Sequence, residues 1–150
     1  LPPYFENFGK RVIKSPKYYF TDVGVLCYLL DIEKPGQITR DPLMGNMFEN
    51  LVILELLKAR YNQGHTANLY YFRDSHGSEV DVLFKTGNDL TGIEIKASTT
   101  WNSDFLKALK RFAKSNSPLR QSAVIYNGDA IEFSDGARAV PFKQSATIVA

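Results

Sequence analysis

Apolar and polar positions change rhythm along the 150-residue chain, and each rhythm predicts a different element. From about Asn46 to Tyr61 the apolar residues recur at helical spacing, and Asn62 and Gly64 supply a stop, which predicts a helix. Three strand-like stretches follow, Asn68 to Arg73, Ser78 to Lys85 and Leu90 to Ser98, separated by polar and glycine-containing turns, so a β-meander is expected. Ser103 or Asp104 then caps a helix through about Lys114, and Ser117-Pro118 breaks it. Ser122 to Asn127 and Ala130 to Phe133 read as further strands, giving the order αβββαββ. The beginning reads differently. Lys17-Tyr18-Tyr19-Phe20 is a short aromatic strand candidate, Thr21 or Asp22 can cap a short helix to about Leu30, and a loop with Pro35, Gly36 and Pro42 follows. Residues 1–40 are therefore expected to form a lead-in or linker with a short helix, and 41–150 the domain proper.

Composition narrows the class. With 44% hydrophobic and 13% aromatic residues the chain can build one ordinary core. No apolar run approaches the roughly 20 residues needed to span a membrane, and the start lacks a signal-peptide layout, so the expectation is a cytoplasmic protein with no membrane partner. Cys27, the one cysteine, sits in an apolar stretch and reads as core filler, with no internal disulfide. A net charge of +2 permits a polyanionic partner without demanding one. A chain that starts at Leu1 suggests a piece of something longer.

The chemistry lies in where acids fall on these elements. At about 100° per residue, Val52, Ile53 and Leu56 lie within roughly 60° of Glu49, so Glu49 sits in the apolar face of the first long helix. An ionised carboxylate there needs a cation, a donor or a functional water; the bland alternative is a buried ion pair with an Arg or Lys. Between the second and third strands the most compact turn is Gly87-Asn88. That turn sets Asp81 across from Glu94 and Glu79 across from Lys96, with Val80, Val82, Ile93 and Ile95 on the opposite face. Opposed carboxylates repel unless a cation lies between them, and oxygen-only ligands suit Mg²⁺ or Mn²⁺ rather than zinc. Lys96, on the same face as Glu94, can polarise an attacking water or neutralise charge on a phosphate. The competing reading is a solvated amphipathic hairpin with a Glu79–Lys96 surface pair.

This pattern resembles the PD-(D/E)xK nuclease superfamily, with Glu49 on the helix, Asp81 on the second strand and Glu94-x-Lys96 on the third. Lys17 to Gly24, Gly45 to Asn50, Tyr71-Phe72-Arg73, Gly77 to Asp81 and Ile93 to Ser98 more closely resemble "domain of unknown function 4143", which typically follows an AAA-type ATPase module. The resemblance covers nearly the whole chain. It implies an α+β fold with a restriction-endonuclease-like αβββαβ core, in which helices flank a mixed central sheet. It further implies catalytic residues Glu49, Asp81, Glu94 and Lys96, a Mg²⁺ (or Mn²⁺) held by Asp81, Glu94 and Glu49, DNA as partner, and an ATPase module on the N-terminal side, with Leu1 to about Lys17 as linker tail. Val80 stands where the superfamily name has proline, and no P-loop motif occurs in this chain.

Two function classes follow: a metal-dependent phosphodiester-cleaving domain, and an inert nucleic-acid-binding or docking module that supports the ATPase. Arg73 and the basic side of the second helix, Lys107, Lys110 and Lys114, are the expected phosphate contacts. His65 and His76 lie in polar loops without ligand spacing and are set aside, and Trp101 is expected to staple the second helix.

Overall fold

The computed structural model describes residues 1–5, 15–74 and 77–150. Helices α1 (Val23–Leu29) and α2 (Pro35–Ile38) precede α3 (Met44–Asn62), and a meander of β1 (Leu69–Arg73), β2 (Glu79–Thr86) and β3 (Asp89–Lys96) follows. A 3-10 turn (Ser103–Leu106) runs into α4 (Lys107–Ser115), then come β4 (Gln121–Tyr126), β5 (Ile131–Glu132), β6 (Arg138–Pro141) and a closing 3-10 segment (Phe142–Ile148). The six strands form one mixed sheet in the order β1-β2-β3-β4-β6-β5. Strands β1, β2 and β3 are antiparallel neighbours, whereas β3, β4 and β6 run parallel. The α3, β1–β3, α4, β4 succession realises the expected αβββαβ order in a mixed α/β fold.

Helix α3 buries Val52, Ile53 and Leu56 completely against Val82, Ile93, Ile95 and Ile125 on one face of the sheet. Helix α4 buries Leu109 and Phe112 against Val80, Leu83 and Val124 on the other. Each fully buried aliphatic side chain contributes roughly 1.5–3 kcal/mol of transfer free energy, so the two layers clamp the central strands. The C-terminal end of α3 stops at Gly64, whose φ of 74° takes the left-handed conformation that glycine adopts without strain. Arg60 there satisfies its buried guanidinium by donating to the carbonyls of Thr66 (3.2 Å) and Val149 (3.0 Å), which ties the end of the chain to the helix.

Several local readings differ from expectation. Asn102, rather than Ser103 or Asp104, caps the turn before α4, its side chain accepting from the Asp104 N–H at 2.9 Å. Pro35 opens the one-turn helix α2 where a loop is expected. Residues 17–20 join no helix or ladder; the Asn50 side chain accepts from the Phe20 N–H (2.8 Å) and donates to its carbonyl (2.9 Å), imitating a strand partner. Strand β6 is four residues ending in proline, too short to register as a pattern.

The hairpin register decides where the acids go. Pairing runs from Thr86↔Asp89 to Val82↔Ile93, with Gly87 in the two-residue turn at φ 59°. On the other side of β2 the register slips: Tyr70 faces Leu83, but Phe72 faces Val80. One extra residue is thereby accommodated at Asp81-Val82, a β-bulge. The bulge corrects one expectation. Val80 packs with Leu83 on the α4 side, while Val82 packs with Ile93 and Ile95 on the α3 side, so the two valines do not share a face.

Candidate acidic site at the open end of the hairpin

The observed pairing ends at Val82↔Ile93, one step short of the Asp81–Glu94 pair that the turn implied, though Asp81 lies near enough to raise the Glu94 pKa. At this end, however, the ladder changes character. Regular alternation would give the Ile95 N–H to the backbone of Val80, but Asp81 Oδ2 accepts it instead at 2.8 Å. Lys96 Nζ donates to Glu94 Oε1 at 2.5 Å and lies 3.9 Å from Asp81 Oδ2. Glu94 is only 6% exposed, and its other oxygen, Oε2, is buried with no hydrogen-bond partner. An orphaned carboxylate oxygen in a core is expensive unless something binds it.

Electrostatics follow from that burial. Burial first, then the neighbouring Asp81, pushes Glu94 up to about 7 despite Lys96. Asp81 is also held above its usual range, again by burial, which Lys96 and the Ile95 amide only partly offset. For Lys96, burial works against the charge but Glu94 and Asp81 outweigh it, so its ammonium is held above the ordinary lysine value. Lys96 is thus a fixed cation and hydrogen-bond donor, not a proton acceptor at neutral pH.

Glu49 lies one helical turn before the buried Val52 and Ile53, as its spacing predicts, and is partnered. Tyr19 donates its hydroxyl to Glu49 Oε1 at 2.5 Å, and Lys17 Nζ reaches the same oxygen at 3.2 Å. Lys17 also pairs with Glu79, which Arg73 holds from the far side through Nε at 2.6 Å. Burial would raise Glu79, but Lys17 and Arg73 together lower it. The structure therefore joins Glu49, Glu79, Asp81 and Glu94 with Lys17, Lys96, Arg73 and Tyr19 at one end of the hairpin. The expected Glu79–Lys96 pair is replaced by Glu79 with Lys17 and Arg73.

Lys17, Tyr19 and Asn50 are the site residues that the sequence reading left unassigned. Helical spacing points Asn50 away from the apolar face of Glu49, yet it is only 4% exposed because its amide holds both backbone groups of Phe20. Of the expected phosphate contacts, Arg73 pairs with Glu79, Lys107 with Asp104 at 2.8 Å and Lys110 with Asp135 at 3.2 Å, while Lys114 lies exposed in the last turn of α4. His65 is exposed, and His76 lies outside the described residues. Trp101 packs on Phe105, Tyr126 and Phe133 with ring centroids 4.8–5.9 Å apart. A cleft of about 210 Å³ between the α1 region and α3 carries Glu49 and Asn50 in its wall; a larger one of about 500 Å³, lined by Tyr70, Lys85 and Leu90, contains none of the acids.

Among the described residues no three His, Cys, Asp or Glu side chains converge as a ready-made metal cage. Mg²⁺ does not require one, since it commonly takes one or two carboxylates and completes its shell with water and substrate phosphate. Asp81 and Glu94 are hard oxygen donors on adjacent strands, and the orphaned Oε2 is a donor without a partner. The residues present fit a Mg²⁺ or Mn²⁺ at that pair.

Residues 44–145 match the family model described as Domain of unknown function (DUF4143), and residues 1–36 match a second, Domain of unknown function (DUF8612). Two uncharacterized mycobacterial proteins, Rv2008c of Mycobacterium tuberculosis and Mb2031c of Mycobacterium bovis, are each 34% identical over 148 residues. The match covers 98% of this chain and 32% of either relative, so the chain spans about a third of their length. No solved structure matches. The chain belongs to the DUF4143 family.

Proposed function

We propose that this DUF4143 domain is a divalent-metal-dependent phosphodiesterase of PD-(D/E)xK type that acts on DNA, attached in its longer protein to an AAA-type ATPase module. The observation that carries the reading is the buried, unpartnered Glu94 Oε2 beside Asp81, with a permanently charged lysine 2.5 Å from the companion oxygen. Asp81 and Glu94 would hold the ion. Once bound there, the ion supplies a Lewis acid against the phosphoryl oxygens on which charge builds. Lys96 donates to the same developing charge, a role its raised pKa suits and that of a general base does not. Glu49, held by Tyr19 and Lys17, orders the rear of the site. Glu94 must release its proton to ligate, so metal affinity should rise with pH through about 7.

A second reading, the inert binding or docking module, draws on the same geometry. Lys17, Lys96 and Arg73 already neutralise much of the acidic cluster. The deciding experiment measures Mg²⁺- and Mn²⁺-dependent cleavage of single-stranded, duplex and branched DNA by the wild type, Asp81→Ala and Lys96→Ala, beside calorimetric metal titration. The phosphodiesterase reading expects cleavage to fall by at least about 100-fold in each variant. No cleavage together with no metal binding establishes the inert module.

A further inference from the structure

Four carboxylates lie at the open end of the hairpin without converging on one point, and two lysines divide them into pairs. Lys96 serves Glu94 and Asp81; Lys17, 32 positions before Glu49, serves Glu49 and Glu79. The Lys17 side chain is 22% exposed, and its ammonium stands 5.5 Å from the centre of the Tyr71 ring. Its backbone N–H donates to the Leu1 carbonyl at 2.9 Å, and three residues on, Asn50 clamps Phe20 by both backbone groups. The lysine is thus delivered by a strap fixed on both sides, and Tyr19 in the same strap donates to the Glu49 oxygen that Lys17 contacts. Nothing equivalent reaches Glu94 Oε2.

We propose that Lys17 is a built-in counter-ion that fills a second cation position of this cluster and restricts the site to one divalent ion, with Tyr19 keeping Glu49 on that lysine. The inference rests on the metal-dependent reading and deepens it. A second ion would need Glu49 and Glu79 as ligands, and a tethered ammonium between those two removes them from the donor set. Lys17 and Tyr19 are then positioning residues: they act through Glu49 and leave Asp81 and Glu94 as the ligand pair.

The test is a Mn²⁺ titration of the metal-free chain, read by the paramagnetic resonance of unbound Mn²⁺, which reports stoichiometry without reference to activity. The wild type should bind one ion, and Asp81→Asn should lose it. Lys17→Gln keeps a hydrogen-bonding amide in the strap but removes the charge, so it should bind a second, weaker ion. Adding Glu49→Gln to that variant should return the count to one, and Lys17→Arg should stay at one. Two ions on the wild type overturn the inference before any variant is made, as does a folded Lys17→Gln chain that still binds one. A wild type that binds none sinks the metal-dependent reading itself, and the inference with it.

Discussion

The two ends of the β2–β3 hairpin share the same strands and obey different physics. At the closed end, pairing is regular from Thr86↔Asp89 to Val82↔Ile93, and Ile93 and Val82 are wholly buried between α3 and the sheet. At the open end a bulge interrupts the β1–β2 ladder, a carboxylate takes the Ile95 amide, and a second carboxylate is buried with one oxygen unpartnered. The first arrangement is what a sequence selects for stability. The second carries a cost that stability alone does not explain, and such local conflicts concentrate at functional sites.

Breaking the closed end should have the largest effect. Ile93→Ala empties a fully buried position where β3 meets α3, and should lower unfolding free energy by roughly 3 kcal/mol, within the 2–5 seen for such truncations. Urea denaturation checks it, and a loss below about 1 kcal/mol would mean that the α3 face is loosely packed. The open end should respond with opposite sign. Burial raises Glu94 from 4.5 to about 7, so between those values the folded chain binds more protons than the unfolded one. Unfolding free energy therefore falls as pH rises through that window, and the cost of the charged form is complete above it. Glu94→Gln removes the titration. It should match the wild type near pH 4.5 and exceed it at pH 8 by on the order of 2 kcal/mol, seen in denaturant midpoints measured without metal. Mn²⁺ should then stabilise the wild type at pH 8 and leave Glu94→Gln nearly unmoved. A variant less stable than the wild type at pH 8 would show the Lys96 pair to outweigh the burial.

The same contrast explains what could be read in advance. Glu49 was legible because helical spacing places it among Val52, Ile53 and Leu56, and Asp81 and Glu94 because Gly87-Asn88 leaves one compact turn. Lys17 and Tyr19 were not, since they reach Glu49 across some thirty residues and their tetrapeptide carries the aromatic bias of a strand. No local periodicity encodes a strap held by a side-chain amide. The bulge did leave a trace: Val80 and then the continuous run Val82-Leu83-Phe84 break the alternation of a half-exposed strand, although the run alone also suits a strand covered on both faces. Both faces are indeed covered, and only the slipped register at Tyr70 and Phe72 separates the two causes.

The smallest expected effect returns to the turn. Gly87 holds φ at 59°, and a methyl group built on it meets nothing within 4 Å, so Gly87→Ala carries a conformational cost with no steric clash. The left-handed region costs an L-residue about 1 kcal/mol, while asparagine tolerates it better, so Gly87→Asn should lose less than half as much. Six residues separate Gly87 from Asp81, roughly 20 Å at the rise of a strand. At that distance the effects of Gly87→Ala and Glu94→Gln should add to within about 0.5 kcal/mol. A larger coupling in the double-mutant cycle would mean that the turn sets the geometry of the acids through the whole length of the hairpin, and that the two ends are one mechanical unit.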